Sequence, residues 1–102
     1  MITVIIEKRG DQISYVEVKG HANYAPKGQD LVCAAVSAVT IGALNALENH
    51  HDFKIVINEG EISLLLVAPK MNAHDEIVIN TMLTSLRTIE QTYGSYIKIK
   101  ER

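Results

Sequence analysis

Gly20-His21-Ala22-Asn23-Tyr24-Ala25-Pro26-Lys27-Gly28-Gln29-Asp30-Leu31-Val32-Cys33-Ala34-Ala35-Val36-Ser37-Ala38 is the stretch in which the chain changes its period. Upstream of it, residues 2–8 and 13–20 carry β-branched residues in partial alternation on either side of Arg9-Gly10-Asp11-Gln12, the pattern of a β-hairpin. In the second run Ile13, Tyr15, Glu17 and Lys19 share one face, and Ser14, Val16, Val18 and Gly20 share the other; Val16 and Val18 are the core candidates. Within the quoted stretch the alternation lapses. Pro26 and Gly28 oppose both a helix and a central strand, so residues 21–29 read as a surface loop. Asp30 then supplies a capping side chain, and the alanine-rich run to about Asn49 has high helix propensity.

Leu31, Val32, Ala35, Val36, Val39, Leu44 and Leu47 spread over more than one face of that helix, which predicts a central, buried element. Ala34, Ala38, Gly42 and Ala46 recur every four residues and would let a neighbour approach closely. Packing on the sheet is the ordinary reading of that line, and a subunit interface is the alternative. Downstream, Phe53 to Asn58 and Ile62 to Val67 read as a second hairpin across Glu59-Gly60-Glu61, ended by Pro69. A second helix starts after Asn72, with Asp75 as a capping-box-like partner and Ile79, Met82, Leu83, Leu86, Ile89 and Tyr93 as its buried stripe. Gly94 stops it, and Ser95 to Lys100 forms a last strand. The order ββαββαβ predicts an α+β domain, an antiparallel or mixed five-stranded sheet carrying two helices.

A chain of 102 residues fits one domain over 1–102, and 47% apolar with 22% charged residues is enough for a core without staples. Ten basic against 12 acidic residues leave a net charge of −2, so no nucleic-acid requirement is expected. Cys33 is the single cysteine, which excludes an internal disulfide framework and suits a reducing compartment. The N-terminal run Met1-Ile-Thr-Val-Ile-Ile-Glu7 lacks a signal sequence's charged start and apolar length. Residues 31–47 are interrupted by Ser37, Thr40, Gly42 and Asn45 before they reach membrane-spanning length. A cytoplasmic protein with no membrane partner is the expectation.

The chemistry-bearing residues lie in the quoted stretch. A histidine ends a strand, a loop follows, and the thiol sits in the first turn of a helix. A free thiol near pKa 8.5 is only a few per cent thiolate at neutral pH, and the thiolate is the nucleophile. The helix dipole contributes about 0.3–1 kcal/mol, less than one pKa unit. A nearby imidazole would have to add the rest, as base or as imidazolium partner, which requires His21 within reach of Cys33. Unpaired N–H groups of the first turn could stabilise an oxyanion. Asp30 reads first as the helix cap and second as an orienter of His21, and its charge would disfavour an adjacent thiolate. Ser37, four residues after Cys33, lies on the same face; its ordinary reading is a hydroxyl bonded back to the helix. A buried inert cysteine and a strand-closing histidine remain the plain readings of the pair.

Gly20-His21, Gly28 and Asp30-Leu31-Val32-Cys33-Ala34-Ala35-Val36-Ser37, in that order, closely resemble the signature of the bacterial ribosomal-processing cysteine protease (Prp) family. The resemblance extends to length and element order. It implies a cytoplasmic endopeptidase that removes a short N-terminal extension from large-subunit ribosomal protein number twenty-seven after an aromatic residue; independently of it, no cofactor or metal is expected. It places the nucleophile on Cys33 and the base on His21, and singles out Gly20, Asp30 and Ser37. It also implies a mobile loop over residues 22–32 that orders around substrate, with Ala22, Asn23, Tyr24, Ala25, Pro26, Lys27, Gly28 and Gln29 as its substrate-facing part. The precursor peptide is the implied partner, and a homodimer the implied assembly. An extended peptide is expected to bind by strand addition at a sheet edge.

Two other functions fit the same residues: a noncatalytic ribosome-associated binding or assembly module, and a thiol redox sensor, which lacks a resolving cysteine. His50-His51 reads as a favourable charge at a helix C-terminus rather than a metal site. His74, beside Asp75 and Glu76, reads as a solvated helix start. Lys98, Lys100 and Arg102 read as a solvent face or a protected sheet edge rather than an RNA contact.

Overall fold

β1 (Ile2–Arg9) and β2 (Gln12–Gly20) open the structure as an antiparallel hairpin, in a computed structural model that describes residues 1–102. Period-2 alternation buries Ile2, Val4 and Ile6 along β1. Along β2 the parity changes. The pairing steps from Glu7 opposite Tyr15 to Lys8 opposite Ile13, leaving Ser14 as an extra residue. This bulge turns Ile13 into the core with Val16 and Val18 and corrects the expectation that Ile13 shares a face with Tyr15.

β3 (Phe53–Asn58) and β4 (Glu61–Leu66) form the second hairpin, with Glu59 and Gly60 at its turn. β4 pairs antiparallel with β2, and β5 (Ile97–Glu101) pairs parallel with β1. The order β3-β4-β2-β1-β5 makes the sheet mixed, with β3 and β5 as edges. Lys98 is exposed on the β5 edge, where a charged side chain discourages further pairing.

Helices α1 (Leu31–Asn45) and α2 (Ala73–Tyr93) share one core with the sheet, built from 20 buried side chains that include Val36, Leu64, Ile79, Leu86 and Ile97. The α+β class and the ββαββαβ order stand as expected. α1 departs from expectation in two ways. It is not buried all round: Val32, Val36, Thr40 and Leu44 face the core, whereas Ala34, Ala38, Gly42 and Ala46 form an exposed line. In a two-layer domain a helix has one covered face, so the line of small residues does not pack on the sheet.

α1 also stops at Asn45 rather than Asn49. The fully buried Asp75 carboxylate takes the N–H groups of Glu48 and Asn49, at 2.8 and 3.2 Å, in place of helix continuation. Asp75 is therefore half of a capping box. Its own N–H donates to Asn72 Oδ1 at 2.8 Å, but its carboxylate reaches across to the end of α1. Beside it, His74 Nε2 donates to Ala46 O at 3.0 Å, and His50 Nε2 to Leu44 O at 3.0 Å. The Ala46 carbonyl raises the His74 pKa above its ordinary value, assisted by Glu48 and Asp75 and opposed by partial desolvation. His74 is thus a bonded residue rather than a merely solvated one. No helix is long and apolar enough to cross a membrane.

Candidate active site

The site begins where β2 ends. Gly20 has φ +101°, and a Cβ there would lie 2.5 Å from the Met1 carbonyl oxygen, so both conformation and space demand glycine. Its N–H donates to Gly60 O at 2.9 Å, tying the end of β2 to the β3–β4 turn. The chain then leaves the sheet with His21 exposed, its ring resting on Gly60.

Residues 22–30 run from His21 to the start of α1. Ala22 is buried, and its N–H donates to Cys33 Sγ at 3.4 Å. Tyr24 stands edge-on to two rings, Tyr93 at 5.7 Å and Tyr96 at 5.1 Å between centroids. Each such pair adds about 0.5–1.5 kcal/mol beyond the area it covers. The Pro26 carbonyl accepts from Gln29 N–H at 2.9 Å and closes a tight turn. Lys27 reaches Glu59 of the β3–β4 turn at 3.2 Å; both side chains are largely exposed, so the pair is weak. The loop is held at both sides, firmly by tyrosines and loosely by an ion pair.

Asp30 caps α1 as the sequence requires. Oδ1 accepts from Cys33 N–H at 3.0 Å and Oδ2 from Tyr24 N–H at 3.0 Å. The bond from Cys33 lowers the Asp30 pKa most; N–H groups of Tyr24 and Ala25 add to it, and desolvation opposes them. Asp30 organises the loop and the cap, and its partners do not include His21. Cys33 stands at the third helical position and is half-buried rather than fully interior. Its N–H is committed to Asp30 and is not a free oxyanion donor. Ser37 is exposed one turn on and does not bond back to the helix.

Gly20, His21, Asp30, Cys33 and Ser37 all line one cleft of about 880 Å³, a size that takes several residues of peptide. From the loop, Asn23, Ala25, Lys27, Gly28 and Gln29 line it, whereas Ala22, Tyr24 and Pro26 do not. Its far wall is Ile57 to Ile62, with Ile41 of α1 opposite. His21 and Cys33 share the cleft without a hydrogen bond between them. The residue reading missed this wall, Glu59 and Gly60 included, because only folding brings the second hairpin to the loop. It also missed Tyr93 and Tyr96 as partners of Tyr24, because only folding brings the loop to the end of α2.

A half-buried cysteine presented from a helix N-terminus into a peptide-sized cleft, with a histidine lining the same cleft, is the arrangement of a thiol-dependent hydrolase. The sequence model of the family described as Cysteine protease Prp matches residues 1–98, and the chain belongs to that family. It is 35% identical to the ribosomal processing cysteine protease Prp of Bacillus subtilis, over 97% of this chain and 96% of that one. Two crystal structures of the S. aureus ribosomal processing protease Prp superpose over the full length of both chains. The one with a covalently linked product peptide gives TM-score 0.88 at 32% identity, and the one with a substrate peptide 0.84 at 29%.

Proposed function

We propose that residues 1–102 act as a single cysteine endopeptidase domain that removes the N-terminal extension of large-subunit ribosomal protein number twenty-seven, in the cytoplasm, with Cys33 as nucleophile and His21 as its base. The convergence of His21, Cys33, Gly20, Asp30 and Ser37 on one cleft carries this reading. The ribosomal processing named for the relatives, and the product peptide linked covalently to one of them, support it.

In the first step the imidazole takes the thiol proton, and Sγ attacks the scissile carbonyl to give a tetrahedral oxyanion. Ala22 N–H, already aimed at Sγ, is a donor placed beside the reacting atoms. Collapse breaks the C–N bond, His21 returns the proton to the leaving amine, and a thioester remains on Cys33. Water, deprotonated by the same imidazole, releases the acid and restores the thiol. The hydrogen bond between His21 and Sγ, absent without peptide, forms when the peptide binds. The negative charge of Asp30 would oppose the thiolate, but its oxygens are directed to N–H groups of Cys33 and Tyr24, which offset that charge.

The edge of β3 beside the cleft suits an extended peptide added as a strand. Beyond Ala34, which lines the cleft, the exposed small residues Ala38, Gly42 and Ala46 leave a close-approach face for a second copy of the chain. Incubation with a precursor peptide carrying the extension tests the whole reading. Wild type should cut it once after an aromatic residue, Cys33→Ala should not cut at all, and His21→Ala should be slower by about 10²–10⁴-fold. Undiminished cleavage by either variant removes the dyad.

A further inference from the structure

His21 has no side-chain hydrogen bond to hold its ring, and yet a base must be placed to within a fraction of an ångström of the group it serves. The support is steric. An ideal Cβ at Gly60 would lie 2.9 Å from His21 Nε2, 3.2 Å from Cε1 and 3.8 Å from Cδ2. The ring therefore lies against the bare α-carbon of the turn, closer than any side chain would permit. The Gly60 carbonyl also accepts from Gly20 N–H at 2.9 Å, so the same residue fixes the backbone immediately before the histidine. We propose that Gly60 is a positioning residue for His21: its missing side chain is the shelf on which the imidazole rests at the wall of the cleft.

A methyl group at Gly60 must displace something. The turn is pinned on both sides, by the pairing of Asn58 with Glu61 in the hairpin and by the pairing of Lys19 with Glu61 in the sheet. The ring is the far end of an exposed side chain and yields first. Displacement is thus cheap for folding and expensive for turnover, because a misplacement near 1 Å can cost about 10²-fold. This inference rests on His21 being the base, and it adds a residue from a different hairpin that no nucleophile or base motif includes.

Gly60 also has φ +74°, so alanine there is strained whatever the ring does. Gly10 provides the control. It sits in the other hairpin turn at φ +64° with nothing within 4 Å of its would-be Cβ, so Gly10→Ala imposes comparable backbone strain without touching the site. Gly60→Asn is a second variant, since asparagine tolerates this backbone region but still carries a Cβ. The experiment measures thermal unfolding, peptide turnover and the His21 imidazole resonances in wild type and all three variants. Gly60→Ala and Gly60→Asn should shift the His21 resonances and lower kcat about tenfold or more, with KM changed much less. Gly10→Ala should lose comparable stability and leave both unaltered. If the Gly60 variants match Gly10→Ala in resonances and in kcat, the shelf is refuted. If the resonances shift but wild-type cleavage does not depend on His21, the contact stands and the assignment of the base fails instead.

Discussion

The two helices begin alike and are put to different use. In each, a short side chain at the cap accepts the N–H of the third helical residue: Asp30 from Cys33 at 3.0 Å, Asn72 from Asp75 at 2.8 Å. Each start has a histidine associated with it, His21 and His74. At α2 the capping groups are committed to the end of α1. Asp75 is fully buried and holds Glu48 and Asn49, and His74 holds Ala46, so the start of α2 is locked to the end of α1. At α1 the thiol stays half-exposed in a cleft, and the imidazole rests on a glycine without a polar partner. The same capping physics builds a structural joint in one place and leaves reactive groups unspent in the other.

That contrast breaks most visibly at Asp75. Asp75→Ala strands two backbone donors, each costing about 1–3 kcal/mol when left unmatched. Urea unfolding should show a loss of about 2 kcal/mol or more, while Cys33→Ala, which leaves the cap in place, should change stability far less. A stable Asp75→Ala would mean the joint carries no weight.

Tyr24 sharpens the difference at the other helix, because its ring joins the loop to α2 and its N–H joins the loop to Asp30. Removing both aromatic pairs, about 1–3 kcal/mol together, corresponds to about 5- to 150-fold in the loop's closed population. Tyr24→Ala should raise amide exchange across residues 22–30 by that factor and lower kcat/KM to match. Tyr24→Phe should restore both, since the hydroxyl takes no part.

The smallest effect is one of pH. The raised pKa of His74 means that its bond to Ala46 contributes stability fully below about pH 6.5 and that the contribution is lost as pH rises through the higher folded value. His74→Gln should flatten the stability profile across that window without altering peptide cleavage. A profile unchanged by the substitution would place the histidine outside the joint.

Local signals were legible where one residue type had one local job. Asp30 and Asn72 announced both caps, Gly10 and Gly60 both hairpin turns, and Pro69 and Gly94 the ends of elements. The motif from Gly20 to Ser37 named Gly20, His21, Asp30, Cys33 and Ser37, which line one cleft. What could not be read locally depended on distant parts meeting. The bulge at Ser14 follows from the pairing register with Glu7 and Lys8, and it moved Ile13 into the core. The early stop of α1 follows from a carboxylate 26 and 27 residues away in the chain. An alanine-rich helix also hides its inner face, because nearly every position is apolar enough to be buried. The far wall of the cleft belongs to a hairpin that nothing in the loop's own residues predicts.

Mass spectrometry of the protein quenched in acid during turnover of the precursor peptide tests the central claim most directly. A thioester should be found on Cys33 in wild type, carrying the residues on the N-terminal side of the cut, and should be absent from Cys33→Ala, which should leave the peptide whole. Cleavage that proceeds in Cys33→Ala, or an acyl group captured on any other residue, contradicts it.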